Sequence, residues 1–133
     1  MIEIFMNKSD DEIIQIATPI MDNLIEGSTE RDWIKHTRDF TKGARESLSE
    51  ENLLKQCEEY QSTHGEFAER SFIGITRHPT YVNILWKQKM TKCEGEFMAV
   101  LTLVEQDNKY RVIRCWVDLW EPKPWLFLMQ GVK

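Results

Sequence analysis

The chain has 133 residues, 41% hydrophobic and 29% charged, which is the composition of one folded domain with a single core and excludes wholesale disorder. Its formal net charge of −5 argues against nucleic-acid binding, where phosphates demand a basic surface. The charge is uneven: residues 1–68 carry 15 acids against 7 Lys/Arg, and residues 69–133 carry 7 against 10.

The N-terminus has no basic segment followed by a long apolar run, so no signal peptide is expected, and no apolar stretch approaches bilayer length. Three cysteines without paired or metal-like spacing suit a reducing compartment. These features predict a soluble, cytoplasmic protein without membrane contact.

Ser9 and Glu12 form a capping box that opens the first helix. Ile13, Ile16, Ala17, Ile20 and Leu24 follow at helical spacing. Pro19 is expected to kink or divide this helix, and Gly27 to close it. A short second helix is expected over 29–36, carrying Trp33, and 41–47 reads as a connector. Ser47 with Glu50, or Ser49 alone, caps a third helix that presents Leu53, Leu54, Cys57 and Tyr60 and ends near Gly65.

From Glu66 the apolar period changes to two. Four strands are predicted, over 66–77, 81–91, 96–105 and 110–120. They are separated by His78-Pro79, by a turn at 92–95 and by the tight turn Asp107-Asn108. Short connections make an antiparallel meander the natural topology. The fold class is therefore α+β, with three N-terminal helices packed on a curved four-stranded meander. Residues 1–133 form one domain with its core over about 9–120 and a C-terminal tail over 121–133. Leu24, Trp33, Leu54, Ile84, Trp86, Leu101 and Val117 are expected to be buried.

Arg31-Asp32-Trp33 leading to Asp39-Phe40, the helix running into Gly65-Glu66-Phe67, and Gly95-Glu96-Phe97 opening a strand resemble small bacterial members of the nuclear transport factor-like superfamily. The same cystatin-like α+β cone serves ketosteroid isomerase and scytalone dehydratase. The resemblance implies a pocket between the helices and the concave face of the sheet. Enzymes of the superfamily place there an Asp with a Tyr, a His with an Asp, or an Asp–Arg–Asp set, and none of these sets maps onto this chain residue by residue.

Trp33 and Trp86 belong to inward faces, as pocket lining or as filling of the cone, and His36 at the end of the second helix joins them as a pocket candidate. On the last strand, Val112, Arg114, Trp116, Asp118 and Trp120 share one face, with Ile113, Cys115, Val117 and Leu119 on the other. The wholly apolar second set suits the core. Arg114 and Asp118 are then a same-face pair outside the pocket, worth about 0.2–1 kcal/mol, rather than a polar-ligand site.

The third strand is apolar on both faces and needs cover on both. That predicts a homodimer whose interface holds Arg114, Trp116, Asp118 and Trp120, joined by Trp125 and Phe127 of the tail. No metal or cofactor is expected, because the histidines are scattered and no phosphate loop, nucleophile elbow or zinc motif occurs. The expected function is a non-catalytic, homodimeric interaction or small-ligand-binding domain taking an apolar ligand. The alternative is an isomerase- or dehydratase-type enzyme.

Overall fold

A computed structural model describes residues 5–120. Its elements, in order, are α1 (Asp10–Thr29), α2 (Trp33–His36), α3 (Lys42–Ser47), α4 (Glu50–Thr63), β1 (Phe67–Arg77), β2 (Tyr81–Met90), β3 (Phe97–Gln106) and β4 (Lys109–Val117). The strands pair antiparallel in the order β1-β2-β3-β4, the predicted meander.

The capping box starts α1 as expected, with Ser9 N–H donating to Glu12 Oε1 at 2.9 Å and Glu12 N–H to Ser9 Oγ at 3.1 Å. Pro19 does not divide the helix. Pro19 and Gln15 are both exposed, so the carbonyl deprived of its helical donor lies on the face open to water. Gly27 does not close the helix either, for α1 runs two residues further, to Thr29. The chain then turns at Arg31, whose φ is 57°.

A fourth helix stands where a connector was expected. Thr41 accepts from Ala44 N–H and caps α3, a helix of six residues that is too short to show an apolar stripe. Ser49 rather than Ser47 caps α4, accepting from Asn52 N–H at 3.1 Å. This helix buries Leu53, Cys57 and Tyr60 at one-turn spacing, whereas Leu54, one step round the helix, is exposed.

Two apolar clusters make the core. In the first, Ile13, Ala17, Met21 and Leu24 of α1 pack on Ile84 and Trp86 of β2, Leu101 and Leu103 of β3, and Val112 of β4. In the second, Leu53, Cys57 and Tyr60 of α4 pack on Met90 and Leu119. Half-buried Val117 touches both clusters, and half-buried Trp33 belongs to the second. Arg70 of β1 lies over the Trp86 ring at 5.0 Å and pairs with Asp22 of α1 at 2.6 Å.

Strict alternation fails on β4. Leu103 faces Val112, but the next pair is Thr102 with Arg114, so Ile113 is the extra residue of a β-bulge. The predicted faces are therefore wrong at two positions: Val112 points into the core at 0% exposure, and Ile113 is 39% exposed. Beyond the bulge Cys115 and Val117 pack against the core, as expected.

Candidate functional site

The helix α1 covers one part of the sheet and α4 covers another. They meet at Ser28 near the end of α1, where Ser28 Oγ and the Tyr60 hydroxyl lie 2.7 Å apart and Cys57 Sγ–H donates to Ser28 O at 3.2 Å. The space left between the two clusters is a cavity of about 380 Å³. Its walls are Leu24, Ile25 and Ser28 of α1; His36 of α2; Leu53, Gln56, Glu59 and Tyr60 of α4; and Phe67 of β1. The end of β4 completes them with Cys115, Trp116 and Val117, followed by Leu119 and Trp120. An apolar concavity with a few polar groups is the usual form of a small-molecule site.

His36 is seated by a close approach of helices. A Cβ on Gly27 would lie 2.5 Å from the His36 backbone nitrogen and 2.6 Å from its Cα, so only glycine lets α1 and α2 meet there. His36 Nδ1 is 2.9 Å from Leu24 O, and a carbonyl only accepts, so Nδ1 carries the proton. Burial lowers the affinity of the ring for a second proton, and the bond to Leu24 opposes this less strongly. His36 is therefore a neutral imidazole, with Nε2 as its acceptor.

This shift has a sign that can be measured. The unfolded chain titrates His36 near 6.5, while the folded chain does so at lower pH. Above that range the residue is neutral in both states. As pH falls below about 6.5 the unfolded state takes the proton first, and stability is lost until the lower folded value is passed. Urea midpoints of the wild type and of His36→Phe at pH 7.5 and pH 5 check this. The wild type is expected to lose more stability on acidification than the variant, and parallel losses would refute it.

Tyr60 is likewise kept neutral, its pKa raised by burial although Ser28 and Gln61 hydrogen-bond to the hydroxyl. Cys115 is half-buried as a residue, but its sulfur sits 3.7 Å from Met21 Sδ, and burial pushes the thiol up to about 12. It is a packing group.

Of the residues singled out in the sequence, His36 lines the cavity, as do Trp116 and Trp120, which were expected at an interface, while Trp33 and Trp86 stand away from its walls. The Trp33 indole N–H donates to Leu48 O at 2.7 Å, and Trp86 is buried in the first cluster beneath Arg70. Arg114 belongs to a polar row that crosses all four strands on the outer face of the sheet. Its Nε–H donates to Thr102 Oγ1 at 3.1 Å, Thr102 donates to Asn83 Oδ1 at 2.6 Å, and Asn83 donates to Thr76 Oγ1 at 3.0 Å.

Asp118 is exposed just beyond β4 and forms no ion pair with Arg114 among the described residues; its backbone N–H donates to Met98 O. Trp116 is 43% exposed, and Trp120 is 50% exposed and meets His64 edge-on at 4.9 Å. Trp125 and Phe127 lie outside the described residues. Ser28, Gln56 and Glu59 are cavity residues that sequence reasoning did not find. Ser28 left one usable trace, a hydroxyl on the apolar side of α1 that needs a partner.

Among the described residues no three His, Cys, Asp or Glu side chains converge as a metal site, and no helix is long and apolar enough to cross a membrane. No family model matches the chain, and no curated protein matches it in sequence. Solved structures do resemble it. An NTF2-like protein of unknown function from Methylobacillus flagellatus KT is 13% identical with a TM-score of 0.56, over 86% of this chain and 97% of that one. A domain of unknown function with a cystatin-like fold from Nostoc punctiforme is 7% identical with a TM-score of 0.53, over 94% and 86%. Bd1075 of Bdellovibrio bacteriovorus is 11% identical with a TM-score of 0.50; 85% of this chain is covered, but it spans only 42% of that protein. The element order, the meander and these likenesses together show that the chain has the cystatin-like α+β cone of the nuclear transport factor-like proteins.

Proposed function

We propose that this chain is a non-catalytic small-ligand-binding domain that works as a homodimer in the cytoplasm. The observation that carries the reading is the cavity between α1, α4 and the sheet, apolar over most of its wall and large enough for a small organic molecule. A non-catalytic role is preferred to an isomerase or dehydratase because of His36. Its Nδ1–H goes to a backbone carbonyl, which stabilises an imidazolium far less than a carboxylate would, and burial already disfavours that cation.

The second copy would cover the outer face of the sheet. Met98, Ile113 and Trp116, the last of which also borders the cavity at the sheet edge, are each about two-fifths exposed there, close to Leu85 and Val100. Apolar groups gathered in this way on a sheet suit a two-fold, self-complementary contact. Three free thiols fit a reducing compartment.

The cavity is tested with N-phenyl-1-naphthylamine, a neutral probe whose fluorescence rises in apolar surroundings. The intact chain is expected to enhance it, and Gln56→Trp, an exposed α4 position on the wall, to reduce that enhancement several-fold. Equal enhancement by both proteins would place the probe elsewhere. Light scattering on the same samples is expected to give about twice the 15.8 kDa chain mass, and a monomer at micromolar concentration would reject the dimer.

A further inference from the structure

The polar groups of the cavity, counted as donors and acceptors, narrow the class of ligand; this inference rests on the ligand-binding reading above. The Ser28 and Tyr60 hydroxyls are buried and directed at each other at 2.7 Å, and Tyr60 also receives the Gln61 amide at 3.3 Å. His36 has given its one N–H to Leu24 O, which leaves Nε2 a lone acceptor. Glu59 is the one carboxylate on the wall, and no Lys or Arg lines it among the described residues.

The last turn of α1, with its negative carbonyl end, supplies the same wall through Ser28. An acceptor, a carboxylate and the negative end of a helix all favour a donor and oppose an anion. We propose that the cavity takes a neutral hydrophobe of about fused-ring size that carries one hydroxyl or N–H donor, received by His36 Nε2, and that it discriminates against carboxylates.

Calorimetric titration of the full chain with 2-naphthol, 2-methylnaphthalene and 2-naphthoate tests the proposal, since the three share a ring system and differ in one group. The naphthol is expected to bind about tenfold more tightly than its methyl isostere, the size of one net hydrogen bond, and the naphthoate more weakly than either. His36→Phe is expected to abolish the preference for naphthol over methylnaphthalene while retaining the latter. A naphthoate that binds as well as the naphthol, or a preference that survives in His36→Phe, would overturn the proposal. Binding of all three without preference overturns the ligand class and leaves the cavity site standing; binding of none removes the site and the class together. Should His36→Phe fail to fold by circular dichroism, the order of the three compounds on the wild type still decides.

Discussion

Trp86→Ala is expected to destabilise the protein by about 3–5 kcal/mol, the range for removing a large aromatic from a packed core. Trp86 is 4% exposed, packs under α1 in the first cluster, and forms the surface on which the Arg70 guanidinium rests at 5.0 Å. Its loss leaves a cavity and also removes the ring face from an arginine whose side chain is only 13% exposed. Domains of this size hold about 5–15 kcal/mol in all, so the loss is a large fraction of the total. Urea unfolding measures it. Trp120→Ala is the control: half exposed and past the end of β4, it is expected to cost about 1 kcal/mol or less. Equal costs for the two tryptophans would mean that the core is not centred on Trp86.

Gly27→Ala is expected to destabilise as well, and to weaken binding in the cavity. In an open helix the exchange would gain about 0.5–1 kcal/mol. Here the new methyl group meets two backbone atoms of His36 at 2.5 and 2.6 Å, and backbone cannot rotate out of the way. Separating α1 from α2 costs about 1–3 kcal/mol by the usual measure of overpacking. It also carries His36 away from Leu24 O and from the wall, so the N-phenyl-1-naphthylamine signal should fall with stability. Gly43→Ala makes the comparison, since a Cβ in α3 meets nothing within 4 Å and should be neutral or slightly stabilising. A Gly27→Ala protein as stable as the wild type, with full probe binding, would show that the close approach is not required.

Much of the architecture was legible because its causes are local. Ser9 and Glu12 satisfy each other within one turn, Leu53, Cys57 and Tyr60 repeat at helical spacing, and both residues of the Asp107-Asn108 turn take positive φ of 54° and 63°, as a tight hairpin requires. The change of apolar period near Gly65 separated the helices from the sheet for the same reason. What tertiary structure alone decided involves distant partners. The bulge at Ile113 depends on register against β3, and it inverted the face of Val112 without leaving a mark in the alternation. Trp33 and Trp86 have similar inward patterns, yet one donates to Leu48 O in the second cluster and the other lies under Arg70 in the first. The cavity itself depends on Ser28 meeting Tyr60, 32 residues later, and on Gly27 admitting His36. Periodicity assigns a side chain to a face, but only the packing of two helices on one sheet determines which faces close and where space remains between them.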